Sequence, residues 1–136
     1  MLGESIYESK GKIMGQRILS VENGIPKMEI TISGDGKYNG VEITESFTYW
    51  AVQRDDGSSY GQGQGVIMTK DGNEVATAIG RGEGQRTDSG KMRYKSAIFF
   101  ESSSKNKLAS LNRILGVSEY EVDESGNYTH RLWEWK

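Results

Sequence analysis

Residues 60–86, YGQGQGVIMTKDGNEVATAIGRGEGQR, decide how this chain folds. Two stretches alternate with a period of two, and between them stands Asp71-Gly72, a dipeptide that supplies the positive φ of a tight hairpin turn. A hairpin centred there sets Gly61 opposite Gly82, Gly63 opposite Gly80 and Gly65 opposite Ala78. Glycine inside a strand costs conformational entropy and offers nothing to pack, so a regular stripe of it marks tight curvature or the close approach of another element.

Outward from this hairpin the pattern repeats. Stretches rich in Val, Ile, Thr, Tyr and Phe are separated by Asn23-Gly24, the loop Asp35 to Gly40, Asp55-Asp56-Gly57, Ser89-Gly90 and Ser125-Gly126-Asn127, all of them turn-forming combinations. The spacing predicts eight strands, near 12–22, 26–34, 41–54, 59–69, 74–86, 91–101, 116–123 and 128–136. Between the sixth and seventh, SSSKNKLASLNRILG carries Leu108, Leu111 and Leu115 at helical spacing, with Ser104 as N-cap and Gly116 at the end, which predicts one short helix at 105–115. Eight long antiparallel strands in sequence order leave too much exposed edge as a flat sheet, and closure removes the edges. The expectation is an all-β, up-and-down antiparallel barrel forming a single domain over 1–136, with an open sandwich as the alternative.

Composition then removes whole classes of chemistry. The 136 residues include 18 glycines, one proline, one histidine and no cysteine, which excludes a disulfide scaffold, a cysteine nucleophile, a thiolate-bound zinc and an iron–sulfur cluster. His130 alone cannot build a multi-histidine metal site, so no metal and no cofactor is expected. Seventeen basic against 19 acidic residues without a basic run lack the footprint of a nucleic-acid binder. No stretch approaches a signal h-region or the ~20 apolar residues of a membrane span, so a cytoplasmic protein with no membrane partner is expected. The runs Gly61-x-Gly63-x-Gly65 and Gly80-x-Gly82-x-Gly84 lie within strands, whereas phosphate-binding loops lie between a strand and a helix.

Turn lengths extend the register. A four-residue loop at 55–58 would place Trp50 opposite Gly63, and a two-residue turn at Ser89-Gly90 would place Phe99 opposite Gly80, giving one row Trp50, Gly63, Gly80, Phe99. The opposite face carries the apolar alternation Val41, Ile43, Phe47, Tyr49, Ala51 and is assigned to the interior, which puts the glycine stripe outside. Under that register the interior grades from apolar to polar, and Tyr49, Gln62, Gln64, Arg81, Glu83, Tyr94 and Phe100 become candidate ligand-binding residues. A buried arginine needs a partner, so Arg81 requires Glu83, Glu45 or a ligand anion. His130 falls beside Tyr120 if Glu124-Ser125-Gly126 is a three-residue loop, and joins the candidates as an inward residue. The same polar residues also suit a wet barrel mouth or a self-satisfied network. Outside, Trp50, Gly63, Gly80, Phe99, Trp133 and Trp135 are candidates for a homo-oligomer interface, the alternative being that the helix, or Trp50 and Phe99 themselves, cover the glycines.

The eight-strand layout with a late short helix resembles the small barrels of the allene oxide cyclase and dirigent kind, and YGQGQGVIMTKDG, EYEVDESGN and LWEWK are similar to segments of an uncharacterised prokaryotic family of this size. The resemblance implies an apolar barrel interior and, for allene oxide cyclases, the guided ring closure of a fatty-acid epoxide. It carries over no catalytic residue. The functional expectation is therefore a small-molecule-binding β-barrel with an apolar and aromatic interior and a polar mouth. The alternatives are a cyclase or isomerase working on an apolar substrate inside the barrel, and an oligomeric interaction module.

Overall fold

The computed structural model describes residues 2–136. Eight antiparallel strands close into a barrel in sequence order: β1 (Leu2–Glu22), β2 (Ile25–Tyr38), β3 (Val41–Gln53), β4 (Ser59–Thr69), β5 (Val75–Arg86), β6 (Met92–Ser102), β7 (Leu115–Val122) and β8 (Asn127–Trp135), with β1 pairing β8. The predicted barrel is present. β1 begins ten residues earlier than the sequence pattern suggests, and β2 runs through the expected loop at 35–38 to a tight turn at Asn39-Gly40. No helix among the described residues is long and apolar enough to cross a membrane.

The predicted helix is instead a single 3₁₀ turn, Ala109–Leu111. Ser104 does not cap it: its amide binds Ser102 Oγ and its hydroxyl binds the Val75 carbonyl. Leu115 has already entered β7 and is exposed. Leu108 and Leu111 are fully buried, joining Tyr7, Ile43, Ile67, Phe100 and Leu132 in a cluster that stops one end of the barrel. The apolar spacing therefore marked a plug, which needs only enough chain to turn two leucines inward.

Register settles which face is inside. The β4–β5 pairing is as expected, with Gly61 opposite Gly82 and Gly63 opposite Gly80. The turns on either side differ. The chain closes with Arg54 N bonded to Ser58 O and Thr87 N bonded to Lys91 O, so both loops hold three residues and end in a left-handed glycine, Gly57 and Gly90, the geometry of a three-residue hairpin with a G1 bulge. Each turn moves the pairing by one residue, so Trp50 faces Gln62 and Tyr49 faces Gly63, while Gly80 faces Ile98.

A one-residue slip inverts every side chain of a strand. β3 and β6 keep the predicted facing and the β4–β5 hairpin is turned over. Gly61, Gly63, Gly80 and Gly82 line the interior, while Gln62, Gln64, Arg81 and Glu83 stand on the outer wall. The interior glycines make room for rings on neighbouring strands. A Cβ on Gly65 would run into the Phe47 ring, one on Gly84 would sit 2.7 Å from the Tyr94 ring, and one on Gly116 would sit 2.7 Å from Leu132. A narrow barrel filled by large rings needs small residues opposite them.

Candidate functional site

Between the plug and a second buried cluster of Ile32, Tyr94, Tyr120 and Tyr128 lies a cavity of about 100 Å³. Its walls are mostly carbon: Ile32, Phe47, Tyr49, Ala78, Ile98 and the glycines of β4 and β5. Glu45, Ser96, Ser118 and His130 add polar side chains to its lining from β3, β6, β7 and β8. At 10–15 Å³ for a single water, about 100 Å³ is room for several waters or one compact organic group, somewhat below the ~150 Å³ apolar cavity that holds benzene.

Glu45 is 3% exposed and accepts three hydroxyl donors: Tyr7 at 2.5 Å, Ser9 at 2.7 Å and Tyr128 at 2.6 Å. No lysine or arginine reaches it among the described residues. A carboxylate inside a barrel is costly to desolvate, and here three hydroxyl hydrogen bonds from two strands, β1 and β8, compensate it in place of a counter-ion. The tyrosines respond in turn: burial and then the Glu45 charge hold the Tyr7 and Tyr128 phenols well above the ordinary tyrosine value.

A second set of rings stands beside it. Tyr49, Tyr94 and Tyr120 form a triangle with centroids 5.8 to 6.1 Å apart. Tyr49 and Tyr120 share a hydrogen bond between their hydroxyls at 3.1 Å, and the Tyr94 hydroxyl meets Ser59 Oγ at 2.9 Å. Burial raises the pKa of all three phenols, so they are neutral at physiological pH.

Two groups on the cavity wall have no partner. Ser118 is 4% exposed and its Oγ makes no hydrogen bond; His130 is 9% exposed, packs edge-on against the Tyr7 ring at 5.6 Å, and has no hydrogen bond to its ring among the described residues. Burial lowers the His130 pKa against a smaller opposing pull from Glu45, which leaves the imidazole neutral at pH 7 with one donor and one acceptor nitrogen. No cluster of three or more His, Asp or Glu side chains suited to a metal ion occurs among the described residues.

Of the candidate residues read from the sequence, Tyr49, Tyr94 and His130 come together on this cavity from inward positions, and Gln62, Gln64 and Arg81 border it from outward positions of β4 and β5. Phe100 is fully buried but sits in the plug cluster against Tyr7, with ring centroids 6.1 Å apart. Gln62 bonds the Tyr60 hydroxyl on the outer wall, Gln64 and Arg81 are exposed there, and Glu83 is ion-paired with Arg54 at 2.9 Å, so Arg81 needs no interior counter-charge. Among the residues expected at an interface, Gly63 and Gly80 line the interior instead. Trp50 and Phe99 border an outer trough with Ile79, Ala97 and Leu115, Trp50 lying 4.2 Å beneath the Lys27 ammonium. Trp133 pairs with Val117 on the outside, and Trp135 is exposed near the end of β8.

Residues that sequence reading did not single out for the site are Tyr7, Ser9, Ser118 and Tyr128, and Glu45 entered only as a conceivable partner for Arg81.

No known protein family and no curated protein matches the sequence. Two solved structures share the fold along almost the whole chain. One is a conserved protein of unknown function from Rhodopseudomonas palustris, with TM-score 0.78, 14% identity, and coverage of 98% of this chain and 97% of that one. The other is a protein with unknown function from Clostridium acetobutylicum, with TM-score 0.79, 14% identity and 98% coverage of both chains. At this identity the likeness concerns the barrel itself.

Proposed function

We propose that the protein binds a compact, largely apolar small molecule in the barrel interior, with Ser118 and His130 as its polar anchors and Tyr49, Tyr94 and Tyr120 among its walls. The observation that carries this reading is the Ser118 hydroxyl, buried on a cavity wall without a hydrogen bond. An orphaned buried hydroxyl costs about 1–3 kcal/mol. A ligand that bonds to it removes the penalty on binding, and a mostly carbon cavity with a few convergent polar atoms is the usual form of a small-molecule site.

The test is Ser118→Ala. No internal partner is lost, so the empty variant is expected to be more stable than wild type by about 1 kcal/mol in urea unfolding, while ligands found by a thermal-shift screen of small apolar compounds bind it at least fivefold more weakly. A variant that is destabilised and binds those ligands unchanged would show that Ser118 belongs to the packing and not to a site.

The unpartnered, neutral His130 favours a second reading, a cyclase or isomerase in which this imidazole accepts a proton from a substrate held by the same walls. Turnover that survives His130→Asn would remove it.

A further inference from the structure

Resting on the small-molecule reading above, we infer that the interior selects a compact organic cation, a protonated amine on a short apolar skeleton, and rejects anions. The charges and acceptors around the cavity carry the argument. Glu45 is the one carboxylate among its lining residues, and the only arginine touching it, Arg81, belongs to the outer wall. The negative charge is steadied by three hydroxyls that bring dipoles and no positive charge. Coulomb interactions weaken less inside a protein than in water, so the cavity presents an uncompensated negative potential to whatever enters.

The remaining wall suits the same ligand. An ammonium offers donors and no acceptor. Ser118, a neutral His130 with one acceptor nitrogen, and Glu45 all line the cavity, and Ser118 Oγ has no bond to give up. The rings of Phe47, Tyr49, Tyr94 and Tyr120 border it as well, and aromatic faces attract cations through their quadrupole, more strongly once both are out of water. A carboxylate ligand would meet the opposite: no lysine among the lining residues, an Arg81 side chain that stands on the outer wall, and a like charge. The cavity of about 100 Å³ limits the skeleton to a few heavy atoms.

The experiment uses three probes with one branched four-carbon skeleton and different charge: isobutylamine, isobutanol and isobutyrate, each titrated into the full-length protein at pH 7 and followed by amide chemical shifts and by thermal stability. The amine is expected to bind at least tenfold more tightly than the alcohol, with amide shifts at Ser118 and His130, and the acid is expected not to bind. In Glu45→Gln the preference for the amine over the alcohol should fall at least tenfold while the alcohol is retained. If that variant does not fold, the wild-type ranking decides alone, supported by Ser118→Ala weakening the amine. Equal binding of amine and alcohol, or binding of the acid, would overturn the charge selection and leave the small-molecule site standing. Failure of all three to perturb the cavity residues would overturn both.

Discussion

The tyrosine-lined interior makes alkaline pH the sharpest probe of this barrel. Tyr7, Tyr49, Tyr120 and Tyr128 all have pKa values raised well above the ordinary value, chiefly by burial. In the unfolded chain each ionises near pH 10. A group whose folded pKa is raised contributes stability that is fully present below its unfolded pKa and is lost as pH climbs above it. At about pH 11 each of these phenols is neutral in the fold and roughly nine-tenths ionised in the unfolded chain, a loss of about 1.4 kcal/mol apiece, or about 6 kcal/mol for the four. At about pH 12 the loss is about 11 kcal/mol, against a total of about 5–15 kcal/mol for a domain of this size. The barrel is therefore expected to unfold cooperatively between about pH 11 and 12. Tyrosinate absorbance and far-ultraviolet circular dichroism, recorded on the same samples, should rise and collapse together. Tyr49→Phe should flatten the pH slope by about a quarter, because one of the four protons is gone. If all the phenols titrate near pH 10 while the circular dichroism is unchanged, the rings are not sealed in the barrel and the account of the interior is wrong.

At the acid side, His130 gives a slope of the opposite sign for the same reason, burial of a group that is neutral in the fold. Its folded pKa is lowered by burial, so the unfolded chain takes up a proton first, near pH 6.5, and stability should fall by up to about 1.4 kcal/mol per pH unit from there downward. His130→Phe should flatten urea-unfolding stability between about pH 5 and 6.5, while the lowered carboxyls of Asp56, Asp71 and Asp123 in the turns act only at lower pH. Gly65→Ala should cost about 1–3 kcal/mol, since its methyl would enter the Phe47 ring, and much of the loss should vanish in the Phe47→Leu background; additive losses would show that ring and glycine are independent. Glu45→Leu strands the Tyr7, Ser9 and Tyr128 hydroxyls together and should cost about 3 kcal/mol or more in the same unfolding assay; a loss below about 1 kcal/mol would mean that the three hydroxyls find other partners.

The fold was legible because turn chemistry punctuates the chain at regular intervals, and alternation on β3 and β6 is strong enough to face Tyr49 and Phe100 inward. The site was less so. Tyr7 and Ser9 lie on a stretch of β1 whose inward positions are Tyr7, Ser9 and Gly11, between Glu8, Lys10 and Lys12. The alternation is there, but its inner residues are polar or small because they meet Glu45 and the backbone of β2, so a hydrophobic period does not reveal it. The expected loop at 35–40 hides β2 for the same reason: Gly34 and Gly36 are strand residues whose Cβ atoms would strike the Tyr128 hydroxyl and Ser9.

The overturned hairpin shows how two small errors can hide each other. Miscounting the loop before β4 by one residue and the loop after β5 by one residue inverts both strands and then restores parity at β6, so apolar alternation on β3 and β6 gives no warning. The local signal that separates the two registers is the position of glycine. Arg54-Asp55-Asp56-Gly57, Thr87-Asp88-Ser89-Gly90 and Asp123-Glu124-Ser125-Gly126 each place glycine fourth, and each closes a three-residue loop with that glycine left-handed. Read together they require one register for all three hairpins, and that register turns the glycine stripe toward Phe47, Tyr49 and Tyr94. The excess of glycine is then the complement of the excess of tyrosine: rings from β3 and β6 fill the barrel over bare backbone on β4 and β5, and where they stop short of filling it, beside Ser118 and His130, the cavity remains.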